Sequence, residues 1–270
     1  MSYFNTQKYN DNLYQIKDAL GSIITLVVGK NKALVFDTGY GFGDLKEEIK
    51  KITSLPLVIV NSHGHMDHTG GNYVFDKIYI HSKDVELIKK HNSEKWRKRN
   101  VESALNQKVL PDNFNIDNYL KEREGNITLI DDIKTFDLGN VTLKVIHTPG
   151  HTAGSISLYS KELKIMLTAD AIIQYVWLFL EESTSVSDYI KSIEEALTYD
   201  FDYFLVGHGA RLIPRDEMKE YLACAKSLDL EKAKKVTFKN FEECDSYEYS
   251  TDYLYSPHGC GIVFDRNKIK

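Results

Sequence analysis

A mixed α/β fold is what this sequence predicts, and three observations predict it. Short apolar, β-branched runs such as SIITLVV, LPLVIV and DYFLV recur along the chain. Stretches with helical spacing, such as DLKEEIKKI and SVSDYIKSIEEAL, fall between them. Several of the apolar runs end on histidine or aspartate instead of an ordinary turn. A length of 270 residues is near the upper end for one domain and is enough to bury a substantial core.

The first forty residues alternate and turn like antiparallel strands, with SIITLVV and KALVF joined by the polar turn GKNK. DTGYGFG breaks that pattern, and DLKEEIKKI follows as a helix with Asp44 as its N-cap. LPLVIV is a buried strand running directly into NSHGHMDH, and KIYIHS is another strand. From Lys83 to Gly125 the chain becomes charged and helical in period. At that length it reads as an insertion at about 83–125, too short for a core of its own. Strands resume with NITLI, KTFDL, VTLKVIH, SISLYS and LKIMLTAD. SVSDYIKSIEEAL is a helix capped by Ser185 or Ser187. DYFLV is a strand ending at GHG, RDEMKEYLACAKSLDLEKAKK is a helix, and YEYSTDYLY and GIVFD are strand-like. The whole reads as a single domain, 1–270, with a C-terminal strand extension over 236–270. SIITLVVGKNKALVFDTG and SISLYSKELKIMLTAD echo one another: strand, lysine-bearing turn, strand, aspartate. A duplicated half or two ordinary hairpins would produce that echo equally well.

Composition excludes several classes. A net charge of −5 gives no basic excess for nucleic acid. The longest apolar run, Ala171–Leu180, is too short to span a bilayer and contains Gln174. The N-terminal MSYFNTQKYNDN lacks the basic-then-apolar order of a signal peptide. Cys224, Cys244 and Cys260 share no metal-ligand spacing and cannot all pair within the chain. The expectation is a cytoplasmic protein with a small-molecule substrate and no nucleic-acid or membrane partner. A homodimer is open to it through the tyrosine-rich tail.

The chemistry concentrates in NSHGHMDHTGGN, residues 61–72. In extended backbone, residues two apart project to one side, so His63 and His65 reach a single ion, with Gly64 keeping the approach open. A turn at Met66 then offers Asp67 and His68 to a second ion. Imidazole and carboxylate suit zinc, manganese, iron or cobalt. Four potential ligands in six residues at a strand's end are more than a polar loop needs. His81 and His91 lack such company and read as ordinary solvent-facing histidines. Downstream, VIHTPGHTAGS carries His151, LTAD ends on Asp170 and FLVGHG ends on His208, each at the tip of an apolar strand. Asp37, in VFDTG, is placed to bond a ligand imidazole from behind.

In this order the motifs resemble the metallo-β-lactamase superfamily, from about Ser22 to Gly209. The family's H-x-H-x-D-H stands as His63, His65, Asp67 and His68. By that resemblance His63, His65 and His151 hold one metal, Asp67, His68 and His208 the other, and Asp170 bridges them. The resemblance implies an α/β (α+β) fold: a four-layer αββα sandwich of two similar halves, which gives the internal echo a motive. Asp170 at the bridging place argues against the lactamases that use cysteine at the second metal. His65, where the oxygen-reducing diiron relatives carry glutamate, argues against redox chemistry. No RNA-docking element suggests the tRNA-processing nucleases. TPGHTAGS followed by TAD most resembles the glyoxalase II-like and lactonase-like hydrolases.

Two metals roughly 3.5–4 Å apart can share a water and lower its pKa from about 15.7 toward about 7. The expected cofactor is therefore two divalent ions, zinc first, with iron or manganese as alternatives. The expected reaction is attack of a bridging hydroxide on an ester, thioester or lactone carbonyl, with Asp67 and Asp170 as catalytic carboxylates. A phosphodiesterase and a non-catalytic metal-binding sensor are the competing readings. Tyr175, Trp177 and Phe179 alternate after Asp170; core packing explains them better than an apolar wall for substrate. The run KWRKR, Lys95–Arg99, reads more simply as a solvated helix face than as an anion-binding lid. His258, in SPHGCG, belongs to a turn.

Overall fold

The computed structural model describes residues 2–121, 125–251 and 259–270. His258 and the 252–255 part of YEYSTDYLY lie outside them. The chain divides into two compact units, Met1–Lys144 with Gly207–Arg211, and Val145–Val206 with Leu212–Lys270.

In the first unit, β1 (Phe4–Lys8), β2 (Leu13–Asp18), β3 (Ile23–Val28) and β4 (Ala33–Phe36) form an antiparallel meander. After β4 the sheet turns parallel. α1 (Leu45–Lys50) leads to β5 (Leu57–Val60), and α2 (Met66–Thr69) is a single turn before β6 (Ile78–Ile80). Next come α3 (Val85–His91), α4 (Glu94–Asn106) and α5 (Ile116–Tyr119), then β7 (Ile127–Leu129), parallel to β6. Parallel neighbours need a crossover, and the insertion expected at 83–125 is that crossover, which is why it is helical. β8 (Thr135–Asp137) pairs antiparallel with the start of β9 (Thr142–His147).

Local chemistry explains these elements. β3 is almost wholly β-branched or apolar and is buried along both faces, as a central strand must be. Asp44 caps α1 by accepting from Glu47 N–H, and Leu45 and Ile49 face a core that includes Ile24, Val35 and Ile59. A second cluster joins Val101, Ala104 and Tyr119 of the insertion to Phe42 and Met66, so the insertion shares the unit's core.

In the second unit β10 (Ile156–Ser160) and β11 (Ile165–Ala169) form a hairpin. β12 (Tyr175–Leu178) and α6 (Val186–Ala196) precede β13 (Tyr203–Val206), which lies parallel to β11, and β14 (Ile213–Pro214) pairs with β13. α7 (Arg215–Lys226) is followed by β15 (Lys234–Val236), β16 (Ser246–Thr251) and β17 (Cys260–Phe264), which build a second sheet in the order β12-β17-β16-β15. Ser185 caps α6 through Asp188 N–H, and Val186, Tyr189, Ile193 and Ala196 are its buried stripe.

The internal echo has a counterpart in topology. In each unit an antiparallel hairpin ends in aspartate, and a later strand, entered from a helix, runs parallel to the hairpin's second strand: β3-β4-α1-β5 and, with β12 inserted, β10-β11-β12-α6-β13. One expectation needs correction. The helix read over 215–235 ends at Lys226. Asp229 takes the N–H of Glu231 in a turn, and Lys234–Val236 pairs with β16 instead. Pairing with a neighbouring strand overrides a weak helical period.

Candidate functional site

β5 delivers the chain to the His63–His68 stretch at its C-terminal end, and each residue there has an identifiable support. His63 and His65 bring Nε2 and Nδ1 to 3.1 Å of each other, as the period-two projection requires. His65 is the N-cap of α2, and its carbonyl accepts from His68 N–H, Thr69 N–H and Thr69 Oγ1. That single turn carries Asp67 and His68 onward. Asp67 Oδ2 lies 3.4 Å from His68 Nε2 and 3.2 Å from His208 Nε2. His208 is anchored through the bridge of its own backbone to Ser22, just before β3. Asp67, His68 and His208 each offer a ligand atom within 4.8 Å of the others. Burial pushes the Asp67 carboxyl up, but His68 and His208 outweigh it and hold the group well below the usual carboxylate range.

Asp37 decides which ring nitrogens face outward. It stands just past β4 with φ of 70°, a left-handed conformation that turns its carboxylate toward the metal-binding stretch. Oδ1 accepts from Ser62 N–H at 2.7 Å, and Oδ2 accepts from Ser62 Oγ at 2.7 Å. Oδ2 also receives His68 Nδ1 at 2.8 Å. The Ser62 hydroxyl commits its one proton to Asp37, so at its 2.8 Å contact with His63 Nδ1 it accepts. Each imidazole thus donates through Nδ1 and turns its Nε2 away from Asp37, the nitrogen a metal would take. Beneath them Thr38, Asn61 and Asn72 form a buried polar network, and Thr38 N–H, Thr38 Oγ1 and Asn61 Nδ2 all donate to the His68 carbonyl.

In the second unit His151 and Asp170 lie side by side, Nε2 to Oδ2 3.9 Å. The His151 Nδ1–H donates to the Trp177 carbonyl at 2.8 Å, which directs Nε2 toward Asp170. Ser183 Oγ donates to the His151 carbonyl, and Lys268 Nζ holds the carbonyls of Leu180, Glu181 and Ser183. Asp170 follows Ala169, whose φ of 45° accompanies a break in the register of β11 against β13.

The seven sequence-predicted ligands thus fall into two sets: His63, His65, Asp67, His68 and His208 in the first unit, His151 and Asp170 in the second. All are imidazoles or carboxylates. That donor set fits divalent zinc, manganese or iron.

Three readings change. Gly64 is small for another reason than an open approach: a Cβ there would meet Asp84 O and Leu87 at 3.0 Å, so it makes room for α3. His91 is buried, its ring stacked on His65 with centroids 4.9 Å apart. Its company is in space and not in sequence, which is why no motif revealed it. In KWRKR, Arg97 is buried and Lys98 pairs with Glu94. The aromatic run stands as read: Tyr175, Trp177 and Phe179 pack with Phe238 and Phe241 in the second unit's core, and the Tyr175 hydroxyl donates to Glu248.

Histidines and aspartates seated at strand ends, with a carboxylate fixing their tautomers, define a divalent-metal-binding α/β protein. The sequence profile of the metallo-beta-lactamase superfamily matches residues 18–208, and the chain belongs to that superfamily. It is similar to the acyl-coenzyme A thioesterase MBLAC2 of Homo sapiens, 26% identical over 186 residues, covering 64% of this chain and 66% of that protein. The hydroxyacylglutathione hydrolase GloC of Haemophilus influenzae is 28% identical over 152 residues, 54% of this chain and 63% of its own. The chain thus spans a little under two thirds of these relatives. Among solved structures, the DIM-1 metallo-beta-lactamase superposes with a TM-score of 0.57 at 16% identity, covering 83% of this chain and 97% of that one. This likeness carries the fold alone.

Proposed function

We propose that this chain is a dinuclear metal-dependent hydrolase that cleaves a small-molecule carboxylic ester, thioester or lactone. The observation that carries the reading is the convergence of Asp67, His68 and His208 ligand atoms, with His68 held through Nδ1 by Asp37 so that its Nε2 faces Asp67. By the family resemblance, His63, His65 and His151 would hold one ion and Asp67, His68 and His208 the other, with Asp170 completing the ligand set. Once bound, such a pair supplies an activated water at neutral pH and polarises the carbonyl under attack. The protein's own contribution is orientation. Asp37 and the Trp177 carbonyl fix the rotation of the ligand imidazoles, and Asp67 and Asp170 would orient the nucleophile and accept its proton.

A thioester is the favoured substrate, because one similar protein is named a thioesterase. Zinc is the favoured metal, with iron or manganese acceptable to the same donors. We read the setting as cytoplasmic and the partner as a small molecule. No helix among the described residues is long and apolar enough to cross a membrane.

The test is a panel of initial hydrolysis rates. Protein loaded separately with zinc, manganese and iron is assayed against a thioester, a lactone, a phosphodiester and a β-lactam, with His65→Ala as control. Thioester or lactone hydrolysis that disappears in the control supports the reading. Phosphodiester cleavage alone would move the chain to a different chemistry, and silence across the panel with metal bound would leave a sensor.

A further inference from the structure

The residues between the ligands in the His63–His68 stretch are held one by one by the helical insertion. Gly64 N–H donates to Asp84 Oδ2 at 2.8 Å. Met66 N–H donates to His91 Nδ1 at 3.3 Å. Asn92 Nδ2 donates to Thr69 Oγ1 at 3.1 Å, and that hydroxyl donates on to the His65 carbonyl at 3.0 Å. Arg97 fixes Asn92 in turn, Nε to its carbonyl and Nη2 to its Oδ1, at 3.0 and 2.7 Å. The His91 ring lies flat between His65 and Trp96, with centroids at 4.9 and 4.1 Å and interplanar angles of 18° and 24°. Asp84, Asn92 and Arg97 are each only 1% exposed and His91 6%.

Burying four polar or charged side chains against one short loop is costly unless every group is matched in place. An insertion that needed only to cover the sheet could do so with apolar residues. Here the polar atoms address the backbone positions that alternate with ligands, and a flat ring fixes the plane of His65. We propose that Asp84, His91 and Asn92 are positioning residues that set the ligand geometry of His65 and its neighbours, with Arg97 locking Asn92. His91 is the centre of this bracket: it fixes the amide after His65 through Nδ1 and the His65 ring through its face. The inference rests on the reading that this stretch binds metal.

Cobalt(II) titration of the chelator-stripped full chain tests it, read by the visible ligand-field band and the binding constant. His91→Phe keeps the stacked ring and loses the acceptor for Met66 N–H; His91→Asn keeps an acceptor at the same place and loses the stack. Both are expected to leave the metal-free melting temperature within a few degrees of the parent. His91→Phe is expected to shift the band and weaken cobalt binding about 10–100-fold, and His91→Asn to recover the larger part of that loss. Asn92→Asp, which keeps the acceptor for Arg97 and loses the donor to Thr69, reads the far side of the bracket should His91→Phe fail to fold. Variants that bind cobalt with the parent's band and affinity would overturn the inference. So would weakened binding that merely follows a lower metal-free melting temperature. A parent that takes up no cobalt sinks the metal reading itself, whereas a parent that binds while its variants match it sinks the bracket alone.

Discussion

At Asp37 one carboxylate, turned by a left-handed backbone, controls the proton positions of two imidazoles. Asparagine tolerates that φ and keeps the shape, but its amide offers a donor where Ser62 and His68 need an acceptor. Asp37→Asn is therefore expected to melt within a few degrees of the parent while metal affinity falls about 10–100-fold. A metal titration giving unchanged affinity would show that the tautomers are set elsewhere. Asp170→Ala is expected to cost at least about 100-fold in turnover and little in melting temperature, since its neighbour His151 keeps the Trp177 carbonyl as an anchor. The seven candidate ligands and Asp37 are legible in the sequence because their spacing and strand-end positions carry the chemistry. His91, Asn92 and Asn72 are not, because each acquires its role from where a separate segment lands.

Among elements, α4 is the one the sequence describes least well. KWRKR reads as a charged face, yet Arg97, Val101 and Ala104 follow helical spacing and form the buried stripe. That spacing was the available signal, outweighed by the habit of arginine to stay in water. The guanidinium sits over the Tyr119 ring at 4.8 Å and satisfies two oxygens of Asn92. Arg97→Ala strands those oxygens and opens a void, so a loss of about 3 kcal/mol is expected in urea denaturation. Lys95→Ala, on the exposed face, should stay within about 0.5 kcal/mol. Equal losses at the two positions would refute the buried role. α7 shows the opposite failure: helical spacing continued on paper past Lys226, but β16 offered Lys234–Val236 a strand to join. The strands that lead to the candidate ligands, β5, β11 and β13, are easy to read, because a continuous apolar run bounded by His or Asp suits a buried strand and little else.

At the scale of the chain, the hairpin–helix–strand order found in each unit sets candidate ligands at or just past strand ends. Each repeat ends its hairpin on an aspartate, Asp37 or Asp170, and its parallel strand leads toward histidine, His63 or His208. The sequence held that repeat in view as an echo but could not separate it from two unrelated hairpins. Metal bound only by the folded chain adds to stability, by about 2.7 kcal/mol at 100 times its dissociation constant. Chelation should therefore lower the melting temperature reversibly, and an unchanged melting curve after chelation would speak against a site built into the fold. The most direct measurement is a metal titration of chelator-stripped protein with thioester hydrolysis followed at each step. Two equivalents of zinc per chain, with activity completed only as the second is taken up, is the predicted result. Full activity at one equivalent, or saturation with none, would contradict the dinuclear account.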